Sequence, residues 1–226
     1  KVEVDEVTLS QVAVNSANLI EGMQIKGVLG RFFLQSHGVD LSNETAVVNR
    51  TELSDTHIQL LMTDTTTTPK DTTASAPVNW KVNLHQLKLK NVSFGMKLPA
   101  DSMKMAAYIG EATIDDAKAD LKNQFYGLKQ FLLSGASASY DTGEAQPSEG
   151  FDASHMAVRN IRIGLDSLLY EGRNMNAVIR EITMEERSGL SITSLTGRLF
   201  SNDSIIRIPE LKLQTRHSEI DLSAQT

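Results

Sequence analysis

The chain has no cysteine. That excludes disulfides, thiolate metal sites and a cysteine nucleophile. It suits an exported or periplasmic chain, where stray thiols are a hazard. Aromatic residues make up only 5%, with a single tryptophan, Trp80, which leaves little for sugar-stacking platforms. Positive charge is scarce as well. Lys and Arg number 22 against 28 Asp and Glu, a formal net charge of −6. Binding a nucleic-acid backbone needs clustered Lys and Arg, so no nucleic-acid partner is expected. No run approaches the roughly 18–20 apolar residues that span a bilayer. No signal peptide is visible, and the first residue is Lys1 rather than Met. The chain therefore reads as part of a longer protein, with a strand still in progress at Glu219-Ile220-Asp221-Leu222-Ser223.

Motifs that carry chemistry are missing too. His37, His57, His85, His155 and His217 show no His-x-x-x-His or His-Glu-x-x-His spacing, so they read mainly as surface residues and no metal is implied. There is no Gly-x-Ser-x-Gly elbow for a hydrolase. Gly27-x-x-Gly30 lacks the lysine of a phosphate loop. Asp115, Asp116 and Asp120 lack the alternating spacing and glycine of a calcium loop, and read as a solvated turn. No cofactor is expected, and the chain is read as non-catalytic.

What is present is alternation. Val2 and Val4, Val7 and Leu9, Val12 and Val14 alternate with polar residues. So do Leu87 and Leu89, Val92 and Phe94, then Met103, Met105, Ala107 and Ile109. Near the end come Met175, Ala177 and Ile179, then Ile206 and Ile208, Leu211 and Leu213, Ile220 and Leu222. A period of two puts these side chains on one face of a sheet. Phase slips, as between Leu84 and Leu87, point to bulges or strand ends. One stretch admits a second reading. Ala117, Leu121, Phe125, Leu128 and Leu132 have the spacing of one amphipathic helix near 116–132, although Gly127 interrupts it.

The chain also repeats itself. A shift of 80 residues, without a gap, overlays Val2 on Val82, Leu9 on Leu89, Met23 on Met103 and Gly30 on Gly110. Asp40-Leu41-x-Asn43 falls on Asp120-Leu121-x-Asn123, and Leu53-Ser54 on Leu133-Ser134. From Lys1 to Leu61 this gives 11 identities, where about 4 are expected by chance. A third copy follows at a shift of 69–70: Asn91-Val92-x-Phe94 becomes Asn160-Ile161-x-Ile163. The expectation is one elongated repeat domain over 1–226, with units 1–62, 81–142 and 151–226 of about five short strands each. A polar linker at 63–77 and a loop at 141–150 separate them. The linker's Asp64-Thr65-Thr66 and Asp71-Thr72-Thr73 resemble a short O-glycosylation acceptor motif of Bacteroidetes, but the motif is very short and a plain polar linker is the favoured reading.

The third unit ends Leu195-Thr196-Gly197-Arg198-Leu199, then Ile206-x-Ile208-Pro209-x-Leu211-x-Leu213, then His217-Ser218-Glu219-Ile220-Asp221-Leu222. That run, with Asn91-Val92-Ser93-Phe94 and Asp120-Leu121-Lys122-Asn123, resembles a recurrent segment of the AsmA/TamB-like envelope proteins, above all their long Bacteroidetes members. The resemblance implies an all-β, long, curved antiparallel sheet folded into a trough (a β-taco, or repeating β-groove). It implies a parent protein anchored in the inner membrane of a Gram-negative bacterium and extending through the periplasm. It also implies a part in phospholipid transport and outer-membrane biogenesis, with an outer-membrane barrel protein as partner through regions this chain lacks.

The groove for phospholipid acyl chains would then be lined by Leu87, Leu89, Val92, Phe94, Met103, Met105, Ile109, Met175, Ile179, Ile206, Ile208, Leu211 and Leu213. The alternative is an extracellular or periplasmic β-sandwich, an adhesin-like binding module, in which the same residues form a closed core.

Overall fold

A computed structural model describes residues 5–18, 22–63, 79–143 and 145–225. The linker residues 64–77, with both Asp-Thr-Thr motifs, lie outside the described residues.

The described chain is all-β. Strands β1 (Glu6–Asn18), β2 (Met23–Asp40) and β3 (Thr45–Met62) form the first unit. Strands β4 (Lys81–Leu98), β5 (Met103–Asp120), β6 (Phe125–Leu128) and β7 (Gln130–Asp141) form the second. Strands β8 (His155–Glu171), β9 (Asn174–Glu186), β10 (Ser191–Ser201), β11 (Ile206–Thr215) and β12 (Glu219–Gln225) follow. All belong to one 12-stranded sheet laid out in chain order, with β6 and β7 sharing the place between β5 and β8. Every pairing is antiparallel except β3 with β4, which is parallel.

No helix occupies 116–132. The apparent helical spacing straddles the end of β5, a turn, and the strands β6 and β7. The turn wins because of Asp120: its carboxylate accepts from the Asn123 backbone N–H at 3.1 Å and from Asn123 Nδ2 at 2.9 Å. Such local side-chain bonds favour a turn over a helix. Asp40 binds Asn43 in the same way, at 3.1 and 2.8 Å, and also takes the Ser42 N–H. These hydrogen bonds, Asn43's first, hold the Asp40 carboxyl below its usual range. For Asp120, burial would raise the carboxyl, but the bonds from Asn123 and Lys81 outweigh it. The repeated Asp-Leu-x-Asn motif is therefore a hairpin turn used twice.

The 80-residue period is also present in the backbone. β2 and β5 are both 18 residues long and begin at Met23 and Met103. Left-handed residues pair off at the same shift: Gln11 with Asn91, Gly22 with Ser102, Glu44 with Gln124, and Asp55 with Gly135. The units differ from the expected five short strands. The first two have three long strands each, β6 and β7 counting as one strand interrupted at Lys129. The slips Leu9 to Val12 and Leu89 to Val92 are kinks within continuous strands, at left-handed Gln11 and Asn91, and the slip Leu84 to Leu87 faces left-handed Asp116 on β5.

A closed core is absent among the described residues. The only buried hydrophobic residues among those described are Ala112, Ala136 and Ala177. The chain exposes 14754 Å², whereas a compact monomer of 24.8 kDa would expose roughly 10,000 Å². One sheet with no second layer leaves both faces half-covered at best.

Candidate functional site: apolar rows and two kink lines

Side chains that face each other across paired strands lie on the same side of a sheet. Following the register from strand to strand therefore traces rows across it. One row runs Leu9–Phe32–Leu53–Leu89–Ala112–Leu133–Ile163–Ile182–Leu195–Leu213–Ile220. Its neighbour runs Val7–Leu34–Thr51–Leu87–Ile114–Phe131–Leu165–Ile179–Gly197–Leu211–Leu222. Both cross from β1 to β12, and no charged residue interrupts either. At about 4.8 Å per strand the track is roughly 48 Å long.

Two lines of kinks flank this track. On one side, left-handed Gln11, Asp55, Asn91, Gly135 and Asn160 stand on β1, β3, β4, β7 and β8. Gln11 faces Gly30, and Asn91 lies between Asp55 and Gly110. A Cβ at Gly30 would overlap the Asp55 carbonyl oxygen, and one at Gly110 would come within 3.0 Å of the Gly135 carbonyl oxygen. The backbones approach too closely there for a side chain. Asn91 Nδ2 donates to Asp55 Oδ1 at 3.0 Å, and Tyr108 Oη donates to Asn91 Oδ1 at 2.8 Å.

The second line passes through His37, Asn49, His85, Asp116 and Lys129. Gly38 and Asp116 are left-handed there. Asn49 Nδ2 bonds His37 Nδ1 at 3.0 Å, and His85 Nδ1 bonds Asp116 Oδ1 at 3.1 Å. Lys129 Nζ stands 3.7 Å from Asp116. The His85 bond, ahead of Lys129's charge, holds the Asp116 carboxyl below its usual range.

The predicted groove residues fall into three panels. Leu87, Leu89, Ile179, Leu211 and Leu213 lie in the central rows. Val92 opposite Ile109, Phe94 opposite Ala107, Met105 opposite Met96, and Met103 opposite Leu98 lie beyond the first kink line. Met175, opposite Tyr170 and Ser201, belongs to an outer row with Ile206. Ile208 pairs with Ala224 near the last edge. Phe94 is 41% and Met105 39% exposed.

A concavity of about 1030 Å³ does not gather these residues; Phe94 and Met105 alone among them border it. Sequence reasoning missed the kink residues, although the phase slips marked where they are. It also missed His155, read with the surface histidines. His155 is buried, with Nδ1 3.0 Å from Asp152. Asp152 also accepts the Ser148 and Ser154 backbone N–H groups. The Ser148 bond leads in holding its carboxyl far below the ordinary range.

Asp115, Asp116 and Asp120 turn to separate partners, Gln86, His85 and Lys81. Among the described residues no group of side chains could hold a metal ion, and no helix is long and apolar enough to cross a membrane. The sequence matches no protein-family model and no curated protein.

Proposed function

We propose that the chain is a non-catalytic segment of an AsmA/TamB-like envelope protein. In this reading the sheet folds along its two kink lines into a trough, and its apolar track carries phospholipid acyl chains through the periplasm. The observation that carries the reading is the pair of charge-free, mainly apolar rows crossing every long strand, with no layer packed over them among the described residues. Apolar surface of that extent needs a partner. An acyl chain laid along it gains about 0.8 kcal/mol for each methylene withdrawn from water. A β-sandwich would instead bury large side chains between two sheets, and the buried hydrophobics here are three alanines. Anchoring in the inner membrane and docking to an outer-membrane barrel protein belong to the same proposal, through other parts of a parent chain.

The test is direct. Photo-crosslinking residues placed at Leu89, Met105 and Met175 are expected to capture phospholipid in cells, and lipid is expected to copurify with the protein by mass spectrometry. Purified protein free of lipid, with no capture at any of the three positions, rejects the reading.

A further inference from the structure

Most residues bordering the 1030 Å³ concavity alternate with the apolar panel of Phe94 and Ala107, although Phe94, Met96, Met105 and Ala107 border it too. Lys26 and Gln59 border it, whereas Ile25 and Ile58, which alternate with them and point the other way, do not. Ser139 and Asp141 border it, and Tyr140 between them does not. Its floor is a row of small residues in register on four successive strands, Gly95–Ala106–Ser139–Ala157. Space is open above that floor: a Cβ at Gly95 would meet nothing nearer than Gln59 Cγ at 3.8 Å.

The walls are cationic. Lys26, Lys97 and Lys104 stand on one flank, and Arg159, Arg187 and Arg216 on the other. Three carboxylates, Asp141, Glu185 and Glu186, join them, so the lining is net positive in a chain of net charge −6. The carboxylates neutralise only part of it, and Asp141 stands opposite Lys104 in the ladder. Glu185 serves Arg159 and Arg216, at 3.1 and 3.7 Å. Glu186 accepts backbone N–H groups of Ser188 and Ala157. Lys26, Lys97, Lys104 and Arg187 have no ion pair among the described residues. Lys97 and Lys104 are directly opposite each other in the β4–β5 ladder, where like charges destabilise a sheet.

We propose that this face binds an extended acidic peptide segment of a partner protein, laid across the strands over the small-residue floor. Three strand spacings separate Lys97 from Arg159, roughly 14 Å, the reach of four or five extended residues. The Ser137 and Ser139 hydroxyls and the Gln59 amide supply neutral partners for a peptide backbone between the charges. The Leu89 and Met175 positions of the lipid test do not border this concavity, so the two readings fail separately.

A fluorescein-labelled peptide of alternating glutamate and serine tests it by anisotropy at low salt. Alternating lysine and serine serves as the control peptide, and phosphatidylglycerol vesicles as the competing probe. Saturable binding of the acidic peptide is expected, weakening as salt screens it. Lys97→Ala with Lys104→Ala, and separately Gly95→Leu, which fills the floor without changing charge, should each weaken it at least about tenfold. Lys88→Ala with Lys90→Ala removes the same charge outside the concavity and should leave it unchanged. Absence of binding, equal loss in both double variants, or binding to vesicles but not to peptide overturns the proposal. Unchanged far-ultraviolet circular dichroism establishes that each variant is folded.

Discussion

The two seams between units are built differently. β3 meets β4 in parallel, with Thr51 opposite Leu87 and Leu53 opposite Leu89. β7 meets β8 antiparallel, with Phe131 opposite Leu165 and Leu133 opposite Ile163. The same two apolar rows pass straight through both. Strand direction is thus free to change from seam to seam, while row alignment is not. The connections differ accordingly. An antiparallel neighbour starts where its predecessor ends, and Thr142 N–H reaches the Ser154 carbonyl at 2.8 Å. A parallel neighbour starts at the far end. Lys81 lies beside Thr45, a whole strand away from Met62, roughly 55 Å along the ladder.

That contrast yields the largest expected effect. The chain between Met62 and Lys81 has a maximal reach of roughly 65 Å. Deleting eight residues within 64–78 should make the parallel register unattainable. Hydrogen exchange is expected to show lost protection in β3 and β4. Deleting 144–147 at the antiparallel seam should leave protection in β7 and β8 unchanged. Equal tolerance of both deletions would break the comparison.

Shared rows predict equal sensitivity on the two sides. Leu89→Ala at the parallel seam and Ile163→Ala at the antiparallel one should each cost about 1–2 kcal/mol in urea denaturation. That is below the range for a fully buried leucine, because both side chains are only half-covered. The kinks sharpen the contrast next. Asn91 bonds across the parallel seam to Asp55, whereas no side-chain bond of Asn160 is found among the described residues. Asn91→Ala should cost about 1–2 kcal/mol, through the lost bonds and the left-handed backbone. Asn91→Gly and Asn160→Ala should cost less, by the same measurement.

The smallest effect concerns the antiparallel connection. Asp152 is depressed in the folded state, so its stabilisation is complete above the ordinary aspartate pKa of about 3.9 and shrinks as pH falls below it. Amide protection at Ser148 and Ser154 is expected to fall as pH drops from 5 to 2, and to be pH-independent over that range in Asp152→Asn.

Much of this was legible in the sequence. Alternation sets the strand faces, and the 80-residue shift carries the hairpin turns, because Asp40 and Asp120 act through neighbours three residues on. The parallel seam was not legible, since nothing local in Thr45–Met62 specifies the direction of a strand that begins at Lys81. The kinks were half-legible. The slip from Leu84 to Leu87 marks a place, but only the pairing of His85 with Asp116 reveals a bend within one strand. The helical spacing at 117–132 is a coincidence: hydrophobic residues on β5, a turn, β6 and β7 fall at intervals of three and four, and the interruption at Gly127 favours strands. The groove residues were chosen by alternation alone, which names a face without saying which panel each residue occupies.

The kink lines separate two dimensions of the sheet. Where both lines cross a strand, the residues between them set the width of the central panel. Strand count sets only the length, at about 4.8 Å for each strand added. A gene that duplicates an 80-residue unit therefore lengthens the sheet by three strands and leaves its gauge untouched.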